Sequence, residues 1–233
     1  MNKKKYEIIV SIIILLSVGI VITLFLKLRS EKNSSAIYNE AIKSVVELKA
    51  STDDIGESYG SAVIFDNGKA ITNAHVVSYS NLGVNTLFES IKIRFSYMEL
   101  YLDASLIKID YEVDLAIIEF DDNEVDYKAI SFSKKEYNSG DSVYAIGNSS
   151  NYGIGISDGI ISVREVAIKQ DDLLRNVIQC DINISSGNSG GALLDKSGKL
   201  IGITTFRTRD LKGNINYGFA YSIPLKTVLN FIN

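Results

Sequence analysis

The stretch SSGNSGGALL, residues 185–194, decides how the fold of the whole chain is interpreted. Ser189 stands in the middle of a glycine-rich loop, and an apolar run begins shortly after it. A nucleophilic serine needs an exposed hydroxyl and backbone N–H groups directed at the oxygen that becomes negative during attack. Glycines permit the backbone angles and the close approach that such a loop requires. The same residues are also typical of a tight turn with no catalytic role, so the rest of the sequence is needed to distinguish a catalytic loop from such a turn.

The chain contains one histidine, His75, in the stretch KAITNAHVV, residues 69–77. It follows an apolar run typical of a strand, where a side chain is held rigidly and yet stays accessible. A structural histidine is the alternative interpretation. A single histidine excludes a multi-histidine metal site. It also makes His75 the base of any serine hydrolase here that uses a histidine.

An acidic residue opens the apolar run DLAIIEF, residues 114–120. An aspartate at the mouth of a buried strand can orient an imidazole ring and favour the tautomer that accepts the serine proton. Asp103 and Asp110 are alternatives, but both stand in more polar surroundings that favour a solvated charge. We therefore favour Asp114 as the third member of the group.

The order His75, Asp114, Ser189 is the order of the chymotrypsin-type triad, and it differs from the orders in subtilisin and the α/β-hydrolases. If the chain forms two β units, the first two residues lie in one unit and the serine lies in the other. Ligand sites favour such junctions. We therefore expect the site in the cleft between the units.

Short apolar runs separated by turn signals predict an all-β fold, either a barrel or a sandwich. The acidic segment at residues 121–126 divides the chain into an N-terminal β unit, residues 41–126, and a C-terminal β unit, residues 127–233. Both have the size of small β domains. Residues 225–232, which follow the only proline, predict a short closing helix.

Residues 8–26 form an uncharged apolar stretch of 19 residues, long enough to span a bilayer as a helix. A cleaved signal peptide is the alternative, but its apolar core is shorter and ends at a small-residue cleavage site. We predict a cytoplasmic tail over residues 1–7, an uncleaved transmembrane signal anchor over 8–26 and a polar tether over 27–40. This arrangement makes a single-pass protein of the cell membrane with its catalytic domain outside the cytoplasm.

The charge of the chain argues against a nucleic-acid partner. Six of the 24 basic residues and two of the 28 acidic residues precede residue 33, so the rest has a net charge of −8. Nucleic-acid binding depends on neutralising phosphates with basic side chains. Cys180 is the only cysteine, which excludes an internal disulfide and a cysteine-based metal site. We predict no metal and no cofactor.

Several motifs together resemble the trypsin-like serine proteases of the HtrA/Deg group. The matching stretches run in family order over nearly all of the chain after residue 40, and they are residues 60–65, 71–77, 114–118, 140–141, 145–148, 158–162, 187–194 and 218–220.

This resemblance implies two perpendicular six-stranded β-barrels, the chymotrypsin/trypsin-like double barrel, behind one N-terminal transmembrane helix. It implies that Ser189 attacks the scissile carbonyl, that His75 transfers the proton to the leaving amine, and that Asp114 steadies the imidazolium. The N–H groups of Gly187 and Ser189 would form the oxyanion hole, and Asn188 would shape its loop.

The chain also departs from the pattern of this group. Ser185 and Ser186 stand where the group often has Asn-Pro, and the loss of the proline is expected to loosen the oxyanion loop. No PDZ domain is expected after the protease unit, so the regulation of the longer relatives is not carried over. Trimers are common in the group, which leaves a homo-oligomer open here.

The resemblance also suggests substrate-binding residues. Asn183, six positions before the nucleophile, is not the aspartate that favours Arg or Lys at the cleavage site, and no second histidine is present for Glu specificity. Thr204, Thr205 and Phe206 would line the strand that pairs with the substrate. These residues predict a small or medium aliphatic residue at the cut.

The predicted function is therefore that of a membrane-anchored serine endopeptidase that acts on protein or peptide substrates, including misfolded envelope proteins. Two alternatives remain. One is a catalytically idle binding or sensor module on a protease scaffold, because a fold alone does not fix function. The other is an esterase or another acyl-transfer enzyme, which would use the same chemistry.

Overall fold

The described residues of the computed structural model fall into five stretches, which are 3–30, 33–123, 125–170, 173–207 and 218–233. The chain divides into two compact units, Met1–Asn33 and Ser34–Asn233.

The first unit contains helix α1 (Lys3–Ser30). Its section Lys3–Thr23 has a mean hydropathy of 2.5, and its length and composition suffice to cross a membrane. A signal sequence near an N-terminus meets the same criteria. The helix therefore fits the predicted anchor and its alternative equally well.

The second unit begins with helix α2 (Ser34–Ala41), and the first barrel follows it. The region of the first barrel contains eight strands and a one-turn helix, which are β1 (Val45–Thr52), β2 (Gly56–Asp66), β3 (Lys69–Thr72), α3 (Ala74–Val77), β4 (Ser78–Asn81), β5 (Val84–Leu87), β6 (Ser90–Arg94), β7 (Leu102–Asp110) and β8 (Leu115–Phe120). Six of the strands close an antiparallel barrel in the order β1-β2-β3-β8-β7-β6. Strands β4 and β5 form a separate hairpin.

The second barrel also consists of six antiparallel strands. They are β9 (Ser142–Asn148), β10 (Ile154–Gln170), β11 (Leu173–Ile182), β12 (Ala192–Asp195), β13 (Leu200–Phe206) and β14 (Ala220–Pro224). The strands close in the order β10-β11-β14-β13-β12-β9. The predicted all-β fold with two six-stranded barrels is thereby confirmed.

The sequence pattern explains how the barrels form. In β6 the buried residues Ile91 and Ile93 alternate with partly exposed neighbours, as in a strand with one face on the core. Four consecutive residues of β8, Leu115–Ile118, are all buried. A continuous buried run means that both faces of this strand are covered. The buried run therefore anchors Asp114, the residue directly before β8, in the interior.

Helix α4 (Leu225–Ile232) closes the chain after Pro224, as predicted. Its buried residues Leu225, Val228 and Phe231 are spaced by three, so one helix face packs on the core. The Lys108 ammonium of β7 donates to the Phe231 carbonyl at 2.5 Å. A cation at a helix C-terminus satisfies a carbonyl that has no partner within the helix. This bond attaches α4 to the first barrel.

Helix α2 differs from the polar tether that the sequence suggested for residues 27–40. Ile37 is 1% exposed and Ala41 is 2% exposed, and both belong to a core cluster that contains residues of both barrels. The Tyr38 hydroxyl donates to the Ile154 carbonyl at 2.9 Å. The apolar residues are too few to form a visible helical pattern, but tertiary packing stabilises this short helix.

The substitution Ile37→Ala tests whether α2 is part of the folded unit. We expect it to lower the free energy of unfolding by about 2–5 kcal/mol, because it removes a fully buried side chain and leaves a cavity. The measurement is urea unfolding of the full chain in detergent. Asn39→Ala, on the exposed side of the same helix, is the matched control and should change the free energy by less than about 0.5 kcal/mol. Equal effects of the two variants would show that α2 is only a tether.

Candidate active site

His75 lies in the one-turn helix α3, directly after β3. The other three residues of this turn are buried, which anchors the backbone, while the His75 side chain is 46% exposed. The Asn73 amide donates to the backbone carbonyl of Asp114 at 2.9 Å. The start of α3 is therefore tied to the start of β8.

Asp114 precedes β8 with a φ of +57°, a left-handed conformation that is uncommon for residues other than glycine. Its side chain is buried and accepts hydrogen bonds from two directions. His75 Nδ1 lies 2.9 Å from Oδ2 and 3.0 Å from Oδ1, and the His75 backbone N–H donates to Oδ1 at 3.1 Å. The Thr205 hydroxyl, at the end of β13, donates to Oδ2 at 2.7 Å.

The two alternative aspartates have other contacts. The Asp110 carboxylate accepts the backbone N–H of Glu112 at 2.8 Å and shapes the turn that leads into β8. Asp103 forms an exposed ion pair with Lys92 at 3.0 Å. Of the three candidates, the structure brings Asp114 to the imidazole of His75.

The surroundings of Asp114 lower the pKa of its carboxyl group below the ordinary value. Burial raises this pKa, but the charge of His75 and the hydrogen bonds from His75 and Thr205 lower it more. An ionised carboxylate only accepts hydrogen bonds, so Nδ1 of His75 carries a proton. In the neutral ring Nε2 is then the nitrogen with the lone pair, as a general base requires.

Ser189 lies at the start of the segment that leads into β12. Its hydroxyl donates to the Thr205 carbonyl at 2.7 Å. The next residue, Gly190, has a φ of +83°, and a Cβ atom there would lie 2.1 Å from the Ser61 carbonyl oxygen. Only glycine fits this position, which explains part of the glycine-rich motif.

Every carbonyl group of residues 185–189 accepts a hydrogen bond. The pairs are Asn188 N–H with Ser185, Ser150 N–H with Ser186, Ser61 Oγ with Gly187, Gly191 N–H with Asn188 and Ser61 N–H with Ser189, at 3.1, 2.7, 2.7, 2.9 and 2.8 Å. In addition, Ser185 Oγ lies 2.5 Å from Ser149 Oγ. These contacts restrain the segment in which the missing proline suggested a looser loop.

The fixed carbonyls also orient the N–H groups of this loop. In a trans peptide unit the C=O and N–H groups point in opposite directions. The N–H of Gly187 shares a peptide unit with the Ser186 carbonyl, so it is directed away from Ser150, which donates to that carbonyl. In the same way, the N–H of Ser189 is directed away from Gly191, which donates to the Asn188 carbonyl. Neither N–H donates to any residue in the described stretches. Two unused donors near a serine hydroxyl are suited to bind an oxyanion.

A groove runs past the side chains of His75 and Ser189. Its lining consists of His75, Gln170, Ile184, Ser185, Ser186, Ser189, Thr205, Phe206 and Arg207. Two of the predicted substrate-binding residues, Thr205 and Phe206, are among them.

The other two predicted substrate-binding residues lie elsewhere. Asn183 is exposed and does not line the groove. Thr204 is buried, and its backbone bonds Gly190 and Gly191 of the serine loop. The sequence contained a signal against Asn183, because it stands between Ile182 and Ile184 in the apolar–polar alternation of a strand. In the structure both isoleucines are buried. That alternation directs Ile184, and not Asn183, into the protein.

Comparisons with known proteins show which family this chain belongs to. A family model for the trypsin-like peptidase domain matches residues 60–203, a range that includes His75, Asp114 and Ser189. Over 215 residues the chain is 30% identical to the serine protease Do-like HtrA of Lactobacillus helveticus, and the match covers 88% of this chain and 50% of that protein. It is also 30% identical over 205 residues to the serine endoprotease DegS of Haemophilus influenzae, covering 84% and 57% of the two chains.

The similar solved structures include the HtrA-type protease AlgW with tripeptide, which is 29% identical with a TM-score of 0.73. That match covers 86% of this chain and 62% of the other. The active form of the Rv3671c protease from M. tuberculosis, 17% identical with a TM-score of 0.71, supports the fold alone. The chain spans about half the length of the two sequence relatives described above.

The substitution Thr205→Val tests the hydrogen bond to the Asp114 carboxylate. The hydroxyl is one of the groups that lower the pKa of Asp114, so its loss should raise that pKa. A carboxyl whose pKa is lowered in the folded state adds stability above its unfolded pKa and loses it as the pH falls through the folded pKa. The variant's free energy of unfolding should therefore fall less than that of the wild type as the pH drops from about 5 to about 2, because the smaller difference between its folded and unfolded pKa leaves less stability to lose.

Thr204→Val is the matched control for this titration. The Thr204 hydroxyl is buried and has no hydrogen-bond partner among the described residues. Its removal should leave the pH dependence of unfolding unchanged. If Thr205→Val and Thr204→Val gave the same pH dependence as the wild type, the Thr205 hydroxyl would have no influence on Asp114.

Proposed function

Because the chain belongs to the trypsin-like peptidase domain family, we propose that it is a serine endopeptidase of the HtrA type that uses His75, Asp114 and Ser189. The observation that carries the proposal is the contact of His75 Nδ1 with the buried Asp114 carboxylate, at 2.9 Å, beside a groove that also contains Ser189. A buried carboxylate that bonds an imidazole, with that imidazole and a serine lining one groove, is the arrangement of an acyl-transfer site.

In the proposed reaction, Ser189 Oγ attacks the carbonyl carbon of the scissile peptide bond. The hydroxyl turns away from the Thr205 carbonyl, and its proton passes to Nε2 of His75. The N–H groups of Gly187 and Ser189 stabilise the oxyanion, and Asp114 stabilises the imidazolium. His75 then protonates the leaving amine, and water hydrolyses the acyl-enzyme by the same steps in reverse order.

The groove lining supports a substrate class. Ile184 and Phe206 give it apolar surface next to Ser189, and the part of its lining that lies in the described stretches contains no carboxylate. Such a surface favours a small or medium aliphatic residue before the cut. By analogy with the DegS and DegP endoproteases, we propose proteins of the cell envelope as substrates.

Cleavage of β-casein by the full chain in detergent tests this function. The wild type should cleave casein, and Ser189→Ala should reduce the rate by on the order of a millionfold, which is below detection. A fluorophosphonate probe should label the wild type and leave Ser189→Ala unlabelled. Ser197→Ala, in a turn where the serine hydroxyl bonds Asp195, is the control and should retain both activities.

The alternatives predict other results. A probe that labels the wild type without casein or peptide cleavage would favour an esterase or another acyl-transfer enzyme. Neither labelling nor cleavage in the wild type would favour the idle binding module and contradict the proposed protease.

We further propose that α1 is an uncleaved signal anchor that keeps the second unit on the outer side of the cell membrane. The length and apolar composition of α1 support this role, as do Lys3, Lys4 and Lys5 before the uncharged stretch 8–26, which favour a cytoplasmic N-terminus. The domain boundaries and the oligomeric state that the sequence suggested stay predictions.

Membrane fractionation tests the anchor. The full-length chain should stay in the pellet after an alkaline wash, and protease added to protoplasts should degrade the second unit. Ile14→Lys places a charge in the centre of the apolar stretch and should lower the membrane-bound fraction, since a central lysine costs about 2.5–3.5 kcal/mol of insertion free energy. Ser34→Lys, outside the stretch, should have no effect. A shortened chain in the soluble fraction would show instead that α1 is a cleaved signal peptide.

A further inference from the structure

Ser61 is a polar residue in the apolar middle of β2, and it is fully buried. Its neighbours Ala62, Val63 and Ile64 are also fully buried. Although β2 belongs to the first barrel, the Ser61 hydroxyl bonds two segments of the second barrel. It accepts the backbone N–H of Asn148 at 2.8 Å and donates to the carbonyl of Gly187 at 2.7 Å.

We propose that Ser61 is a positioning residue for the oxyanion hole, an inference that rests on the proposed protease function. Its hydroxyl acts from the first barrel on the peptide unit that follows Gly187. It touches neither the substrate nor the reacting atoms.

Gly187 needs an external restraint because glycine has no side chain to limit its backbone. Its φ is +92°, and a Cβ atom would lie 2.0 Å from the Asn148 carbonyl oxygen, so no other residue fits. The peptide unit before Gly187 is held at the Ser186 carbonyl by Ser150. The peptide unit after it is held at the Gly187 carbonyl by Ser61. Together the two bonds fix the direction of the Gly187 N–H group.

Asn148 provides the fixed point to which Ser61 connects the loop. Its side-chain oxygen accepts the N–H of Gly153 at 3.0 Å, and its amide donates to the Glu47 carboxylate at 3.4 Å. Glu47 is itself buried and pairs with Arg94 at 2.7 Å. The Ser61 hydroxyl therefore connects Gly187 to an already anchored segment.

The chemistry of the two partners requires a small hydroxyl side chain at this position. Asn148 offers a donor and Gly187 offers an acceptor, and a hydroxyl serves both at once. The hydroxyl lies close to the backbone of the second barrel, since a Cβ atom on Gly147 would lie 2.8 Å from Ser61 Oγ. With alanine, two buried backbone groups would lose their partner.

The backbone of Ser61 has a separate role. Its N–H donates to the Ser189 carbonyl at 2.8 Å, and its carbonyl accepts the Thr72 hydroxyl at 2.7 Å. A side-chain substitution leaves these backbone groups in place. Ser61→Ala therefore isolates the contribution of the hydroxyl to the Gly187 side of the oxyanion hole.

The test is steady-state cleavage of a fluorogenic peptide with valine before the scissile bond, by the full chain in detergent. Ser61→Ala should lower kcat about 10- to 100-fold, part of the effect of losing an oxyanion donor, and leave KM within about twofold. Inhibition by a peptide aldehyde, whose adduct places an oxyanion in the hole, should weaken by the same factor as kcat/KM. Ser61→Cys has a slightly larger side chain that is a weak donor and a weak acceptor, so it should recover part of kcat.

Ser133→Ala is the matched control. The Ser133 hydroxyl also donates one bond and accepts one, to the Asp195 carboxylate at 2.8 Å and from the Lys135 N–H at 3.3 Å. It should change thermal stability without changing kcat. Each variant is first checked for folding by circular dichroism, and Ser61→Cys carries the comparison if the alanine variant does not fold.

Three results separate the possible failures. A folded Ser61→Ala or Ser61→Cys variant with the kcat and aldehyde affinity of the wild type would overturn the inference and leave the protease function intact. An equal loss of kcat in Ser133→Ala would overturn it as well, because the effect would then reflect general stability. A wild type without any cleavage would overturn the proposed function itself.

Discussion

The site depends above all on the buried carboxylate of Asp114. It accepts hydrogen bonds from His75 of the first barrel and from Thr205 of the second, so it joins the barrels at one point. A charge in the interior is costly unless it is paired and hydrogen-bonded. That requirement determines where β8 begins and how α3 leaves β3. It also determines how closely β13, which carries Thr205, approaches Asp114. The left-handed turn at Asp114 is the local cost of bringing these elements together.

The serine loop follows the same rule with backbone groups. Its carbonyls are satisfied by donors from β2, from the turn after β9 and from the loop itself. The direction of the Gly187 and Ser189 N–H groups is therefore a property of the whole second unit, not of the glycine motif alone. The motif supplies the conformational freedom, and distant residues select one conformation from it. This division explains why a glycine-rich sequence can hold a defined geometry.

The sequence predicted the features that short-range patterns encode, and it failed where long-range contacts decide. Turn signals and strand-like runs predicted an all-β fold, the family resemblance implied the two barrels, and a single histidine narrowed the search for a base. The pattern did not reveal α2, whose helix depends on the burial of Ile37 by residues far along the chain. Asn183 was chosen by resemblance, although local alternation favoured Ile184. The contacts of Ser61 lie 87 and 126 positions away, so no local pattern could indicate them.

The division of the site between two barrels has a consequence for biosynthesis. His75 and Asp114 precede Ser189 by most of a barrel, and domains generally fold in the order in which they leave the ribosome. On the proposed function, a chain with only its first barrel folded has a base but no nucleophile, and it has no oxyanion loop. On that function, the chain gains the ability to cut unfolded copies of itself only in the last step of its own folding, when it is no longer a good substrate.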